Sequence, residues 1–133
     1  MPVTTSPDAL ISIFRDTVVA LVRRDGADLS ARQLGVLLTV YLTEGPHTVR
    51  GLAATLNVSK PAITRALDRL GELDLARRKT DPADRRSVLV QRTVKGAAFL
   101  REIRTVMAES EAGLREAASM QPANGEAEHR AAS

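Results

Sequence analysis

The sequence predicts a mainly α-helical fold carrying one small β-hairpin, and three observations predict it. Apolar residues recur at three- and four-residue spacing through most of the chain. Two short segments, Leu75–Thr80 and Ser87–Thr93, instead read as strands around a turn of Asp and Pro. Directly before them stands a short helical segment, a tight turn and a longer helical segment.

The elements follow in order. From Asp8 to about Arg24, Leu10, Ile11, Phe14, Val18, Leu21 and Val22 form an apolar stripe, with Arg15, Asp16, Arg23 and Arg24 mostly off it. Asp8 after Pro7 starts this helix and Asp25-Gly26 stops it. A second helix spans about Ser30–Thr43, with Leu34, Leu37, Leu38 and Tyr41 inward. Ser30 caps it, and Glu44-Gly45-Pro46 ends it because proline cannot continue a helix. His47-Thr48-Val49 reads as an extended connector. A compact helix from about Val49 to Leu56 follows, then Asn57-Val58, then a helix from about Lys60 to Leu73 with Ser59 as its cap and Pro61 in its first turn. Asp81-Pro82-Ala83-Asp84-Arg85-Arg86 is turn chemistry between the two strands. Thr93 caps a last helix running to about Met120, with Ala97, Leu100, Ile103, Met107 and Leu114 on its apolar side. The small polar tail 121–133 is expected to be disordered.

Composition narrows the function classes. A chain of 133 residues suffices for one domain with a core and is short for two. Charges interrupt every apolar stretch well before a bilayer-spanning length, and the N-terminus lacks the basic start and apolar core of a signal peptide, so a cytoplasmic protein without membrane contact is expected. The absence of cysteine removes disulfides, thiolate catalysis and Cys-based redox sensing. His47 and His129 are too far apart in the chain to suggest a zinc site; no metal and no cofactor is expected. No nucleophile–base pair, clustered carboxylates or phosphate-cradling glycine loop is present, which argues against an enzyme. The net charge of +3 is unevenly placed. Residues 50–95 carry eleven Lys and Arg against five acids, a block of +6 between arms that sum to −3. Such a block suits a polyanion, although basic blocks also occur on plain solvated surfaces.

The central helix pair sharpens this. Two helices that cross steeply need a small residue on the first, a turn-tolerant residue four positions later and a β-branched anchor on the second. Ala53, Asn57 and Ile63 supply these in order, with Leu52, Leu56, Val58, Ala66, Leu67 and Leu70 completing a small core. By itself the pattern fits any tight helical corner. With that face inward, Ser59, Lys60, Pro61, Ala62, Thr64, Arg65 and Arg69 point outward, small at the tip and polar or cationic behind. A helix entering the major groove needs such a face. Asp68 on the same helix fits a merely solvated surface better. In the hairpin, Arg77, Arg78, Lys79, Arg85 and Arg86 crowd together, and an arginine on a protruding loop suits a narrow A·T-rich minor groove. Asp84 is placed to pair with Arg86 and hold it extended. Together these elements predict a winged helix-turn-helix.

The run Leu56-Asn57-Val58-Ser59-Lys60-Pro61-Ala62-Ile63-Thr64-Arg65-Ala66-Leu67-Asp68-Arg69-Leu70 resembles the recognition helix of the MarR-type regulators, the multiple-antibiotic-resistance repressor family. The run from Asp81 to Thr93, DPADRRSVLVQRT, resembles that family's wing signature. The resemblance covers roughly Ser30 to Leu100. It implies a dimeric repressor or activator, in first expectation a repressor, reading a near-palindromic operator in double-stranded DNA. It further implies that Arg86 is the minor-groove arginine with Asp84 its partner, and that Ser59, Lys60, Pro61, Thr64, Arg65 and Arg69 lie in or beside the major groove. Two departures stand out. The family dimerises through an N-terminal helix and two C-terminal helices, whereas one C-terminal helix is legible here. Many members bind aromatic acids, yet Phe14, Tyr41 and Phe99 are the only aromatic residues, so the sequence identifies no effector ligand.

The expected organisation is therefore an N-terminal arm (1–28), a winged helix-turn-helix (29–93), a C-terminal dimerisation helix (94–120) and a tail (121–133). Leu10, Phe14, Val18, Leu21, Leu100, Ile103 and Met107 are the expected dimer contacts, since their helices extend beyond what a winged domain needs; packing on each other within one chain is the alternative. Two-fold symmetry sets recognition helices about 34 Å apart, one turn of DNA. A protein-interaction module whose basic face meets an acidic partner is the competing reading, and steep salt dependence separates the two.

Overall fold

A computed structural model describes residues 6–26 and 28–120; the expected tail at 121–133 lies outside the described residues. Five helices and three strands follow one another as α1 (Pro7–Arg23), α2 (Ala31–Leu42), β1 (His47–Thr48), α3 (Val49–Leu56), α4 (Lys60–Glu72), β2 (Ala76–Asp81), β3 (Asp84–Arg92) and α5 (Val94–Met120). They form two compact units, one built from residues 26–102 and the other from α1 with α5 from Ile103 onward.

In the unit of residues 26–102, local chemistry fixes each helix end. Ser30 closes a capping box with Gln33: its hydroxyl accepts the Gln33 N–H at 3.1 Å, and the Gln33 side chain accepts the Ser30 N–H at 2.9 Å. Thr48 caps α3 through the Gly51 N–H at 2.9 Å, and Ser59 caps α4 through the Ala62 N–H at 3.2 Å. The tight turn between α3 and α4 rests on Asn57, which takes the left-handed conformation at φ 56°, ψ 48°. Asparagine tolerates that region better than a branched or bulky residue. Asp74 does the same after α4 at φ 57°, and the Leu75 N–H returns to the Leu70 carbonyl at 2.8 Å, turning the chain into β2.

The core of this unit interlocks Val36, Leu37 and Val40 of α2, Leu52 and Ala53 of α3, and Ile63, Ala66, Leu67 and Leu70 of α4. Two expectations are corrected here. Ala62, read as outward, is buried, because it lies on the same helical row as Ala66 and Leu70. On α2 the deepest residues are Val36, Leu37 and Val40, while Leu34, Leu38 and Tyr41 are half-buried.

The sheet has three strands in the order β1-β3-β2, all antiparallel, where the sequence predicted two. The expected connector at His47-Thr48 pairs with Val90 and Leu89 and covers the outer edge of β3. The hairpin strands also run closer to the tip than expected. Asp84, Arg85 and Arg86 belong to β3, and the turn narrows to Pro82-Ala83 with a bulge at Thr80/Asp81.

In the other unit, α1 starts one residue earlier than expected. The Ser6 hydroxyl accepts the Ala9 N–H at 3.1 Å, leaving Pro7 and Asp8 in the first turn. Ile13 and Thr17 are its buried residues, and the Thr17 hydroxyl donates to the Ile13 carbonyl at 2.7 Å. The stripe read as apolar is exposed along much of its length: Leu10, Ile11, Phe14, Val18 and Val22 all stand in solvent. The Ser110 hydroxyl of α5 donates to the Asp16 carboxylate at 2.6 Å, which ties the two helices of this unit together. That bond, ahead of the neighbouring Arg15 guanidinium, holds the Asp16 carboxyl below its usual range. Leu100 and Ile103, expected at a dimer contact, are buried within the single chain, whereas Met107 is exposed. No helix among the described residues is long and apolar enough to cross a membrane.

Candidate nucleic-acid interface

The outward face of α4 presents Lys60, Pro61 and Arg65 to solvent, with Thr64 and Arg69 half-buried beside them. Ser59 is exposed, but its hydroxyl oxygen is engaged in capping α4. The small tip follows from that cap: proline in the first turn lacks an N–H that would find no partner there. Arg69 pairs with Glu72 at 2.9 Å, one turn further on. Lys60 and Arg65 form no ion pair among the described residues.

In the hairpin, alternation sorts the cations. Arg78 lies opposite Val90 and shares a face with the buried Ala76, so it points toward the helices; Arg77 and Lys79 point the other way. Arg78 reaches the Asp68 carboxylate on α4, an ion pair that fastens the hairpin to that helix. Arg77 is held by Asp74 at 3.1 Å. At the tip, the Asp81 carboxylate accepts the Ala83 N–H at 2.9 Å and the Asp84 carboxylate accepts the Arg86 N–H at 3.1 Å, local bonds that shape the turn. The expected Asp84–Arg86 pair is present but loose, at 3.7 Å, and the Arg86 side chain is 95% exposed. Lys79 and Arg85 are also exposed and form no ion pair among the described residues.

The twelve residues expected at the interface therefore fall into three groups. Lys60, Arg65, Lys79, Arg85 and Arg86 offer charge outward. Arg69, Arg77, Arg78, Asp84 and Ser59 are tied into local structure, and Pro61 and Thr64 supply surface between them. Sequence reasoning missed Asp68, taken there as an ordinary solvated acid, as the partner of Arg78. It also missed what Tyr41 and Arg92 do.

Tyr41 of α2 donates its hydroxyl to the Leu75 carbonyl at 2.7 Å and accepts the Thr93 N–H at 2.8 Å. Arg92 donates from Nε to the Val40 carbonyl at 2.8 Å and from Nη2 to the Thr43 carbonyl at 3.0 Å, with its guanidinium over the Tyr41 ring. Those carbonyls belong to the end of α2, where a cation is favoured. The lone tyrosine of the sequence was the available signal, since a half-buried phenol seeks partners.

Among the described residues no group of three or more His, Cys, Asp or Glu is placed to hold a metal ion. An open cleft of about 430 Å³ runs along α1, lined by Arg15, Asp16, Val19, Ala20, Arg23 and Arg24, with no aromatic side chain among them.

The MarR family model matches residues 27–87, from just before α2 into β3. No curated protein sequence matches the chain. Among solved structures, the crystal structure of MarR is 29% identical, with a TM-score of 0.59 over 83% of this chain and 81% of that one. The transcriptional repressor CouR bound to a 23-mer DNA duplex is 27% identical, with a TM-score of 0.61 over 90% of this chain and 81% of that one. A mutant of S. aureus MepR bound to an oligodeoxyribonucleotide superposes with a TM-score of 0.70 over 96% of this chain and 93% of that one; at 18% identity this likeness speaks for the fold.

Proposed function

We propose that this chain, whose residues 27–87 match the MarR family model and which is 29% identical to MarR, is a DNA-binding transcription regulator of that family, a repressor that reads a near-palindromic operator as a homodimer. One observation carries the reading. The cations Lys60 and Arg65 on α4 and Lys79, Arg85 and Arg86 on the hairpin are exposed on elements that the Asp68–Arg78 pair joins.

In this reading α4 lies in the major groove, with Lys60, Thr64 and Arg65 toward bases and phosphates and Ser59, Pro61 and Arg69 beside them. The wing lies over the adjacent minor groove. There Arg86 is the inserted cation, Asp84 orients it through its backbone N–H, and Lys79 and Arg85 meet the phosphates. Arg77 and Arg78 act as supports more than as DNA contacts, since each has an acidic partner. The complex of CouR with a 23-mer DNA duplex supports duplex DNA as the partner.

The dimer reading rests on α1. Leu10, Ile11, Phe14, Val18 and Val22 make a continuous exposed row on one helix, with Met107 exposed on α5. A row of that kind, left in water by the single chain, suits a second copy. Leu100 and Ile103 then belong to the protomer's interior and leave the contact to α1 and the outer part of α5. Residues 1–28 and 94–120 are the dimerisation arms and 29–93 the DNA reader. A cytoplasmic location follows from a DNA partner.

A titration against the DNA upstream of the protein's own gene, at several salt concentrations, tests this. Saturable binding that survives competitor DNA and weakens steeply with salt is expected. Binding without sequence preference overturns the operator reading, and absence of binding at low salt moves the basic face to an acidic protein partner.

A further inference from the structure

We propose that Tyr41, acting with Thr93 and Arg92, is the positioning residue that sets the direction of the wing for DNA. The inference rests on the reading above that the hairpin engages the minor groove.

Leu75 stands immediately before β2 and Thr93 immediately after β3. The Tyr41 hydroxyl bonds to both, donating to the Leu75 carbonyl at 2.7 Å and accepting the Thr93 N–H at 2.8 Å. One phenol oxygen of α2 thus fastens the two open ends of the hairpin. Around it the joint is closed on every side. The Thr93 hydroxyl donates to the Asp74 carbonyl at 2.7 Å and accepts the Gly96 N–H at 2.9 Å, tying the end of α4 to the start of α5. Arg92 grips the Val40 carbonyl of α2 and the carbonyl of Thr43, which caps that helix, and lies over the Tyr41 ring. Gly96 packs so tightly that a Cβ there would strike the Tyr41 hydroxyl and the Leu75 carbonyl oxygen.

The β2–β3 ladder does not depend on this joint. It runs unaided from Ala76↔Arg92 to the bulge near the tip. Removing the hydroxyl therefore leaves a hairpin but loosens its attachment to α2. The tip lies six residues from the joint along β2, so a small rotation at the base becomes a larger displacement of Arg86. The hydroxyl acts on DNA only through the wing, and never touches it.

A double-mutant cycle reads this directly, on a duplex selected by the wild-type protein from a random-sequence pool. Tyr41→Phe should bind that duplex about tenfold more weakly, with an unchanged far-ultraviolet circular dichroism spectrum. In an Arg86→Ala background the same change should cost less than about twofold, because the wing's contact is already gone. Thr93→Val, which keeps the shape and removes the second hydroxyl, should follow the same pattern. Equal losses in both backgrounds would reduce Tyr41 to a general structural role and overturn the proposal, as would full affinity in Tyr41→Phe. If Arg86→Ala alone binds like wild type, the wing reading fails and takes this one with it. If the wild-type protein selects no duplex, the failure lies with the DNA-binding function itself.

Discussion

The Arg78 guanidinium on β2 is paired with the Asp68 carboxylate on α4, ten positions earlier in the chain. The contact joins the two elements proposed to enter DNA. It also neutralises a cation and places an acid on the face proposed to bind DNA. Asp68→Asn keeps the side-chain shape and frees Arg78 to meet a phosphate. Non-specific DNA affinity should rise, and the slope of log affinity against log salt should steepen by about one. Folding stability should change by no more than about 1 kcal/mol, because both side chains are partly exposed. An unchanged salt slope would mean that Arg78 stays away from DNA even when released.

Arg86 carries the sharpest prediction for specificity. Its side chain is almost fully exposed and its backbone N–H, not its guanidinium, makes the closer bond to Asp84. Arg86→Ala should leave the melting temperature within error and weaken operator binding by roughly 1–3 kcal/mol. The loss should concentrate on sites with A·T-rich flanks, read by comparing duplexes with A·T and G·C at those positions. Equal affinity for both variants on both duplexes would remove the wing from the interface.

These two residues also mark how far the sequence could be read. The helix-turn-helix was legible because its geometry demands residue types: a small Ala53, an Asn57 that accepts the left-handed turn, a branched Ile63 in the core. Periodicity could place Ser59, Lys60 and Arg65 on one face for the same reason. It could not find the Asp68–Arg78 pair, since nothing local ties a helix acid to a strand ten residues on. Strand β1 was missed because two residues hold no periodic signal, and its pairing with Val90 and Leu89 arises only once β3 lies beside it. Ala62 was misplaced because alanine is as common outside as in. The stripes on α1 and α5 showed which residues are apolar and not what covers them, so Leu100 and Ile103 were assigned to a partner when the chain itself buries them.

Ile63 tests the core of the reader. It is fully buried at the centre of α4's inward face. Ile63→Asp puts an unpaired charge there, at a cost of several kcal/mol against a total stability of about 5–15. Thermal denaturation should show loss of a cooperative transition near room temperature. A folded mutant with a normal transition would mean that α4 is rotated from the register described.

Phe14 tests the dimer. It is 59% exposed in the single chain, in the middle of the row from Leu10 to Val22 on α1. Phe14→Glu removes no intramolecular packing of consequence and places a charge on that row. Sedimentation at tens of micromolar should show wild type as a dimer and the mutant as a monomer, with circular dichroism unchanged. Operator affinity should fall steeply too, since two half-sites are no longer held together. A mutant that remains a dimer would move the interface elsewhere.

Asp16 gives the unit of α1 and α5 a dependence on pH whose sign is fixed. The Ser110 hydroxyl bonds the ionised carboxylate at 2.6 Å and thereby lowers its pKa on folding, with Arg15 assisting. A group so lowered adds stability above its unfolded value and loses it as pH falls through the folded one, here below about pH 4. Ser110→Ala removes the bond. Its melting temperature should lie below that of wild type at pH 6, and the gap should narrow as the pH falls below the usual carboxylate range and the wild-type carboxylate takes up its proton. A gap that stays constant across that range would show that the hydroxyl contributes through packing alone and that Asp16 carries no acid sensitivity in this unit.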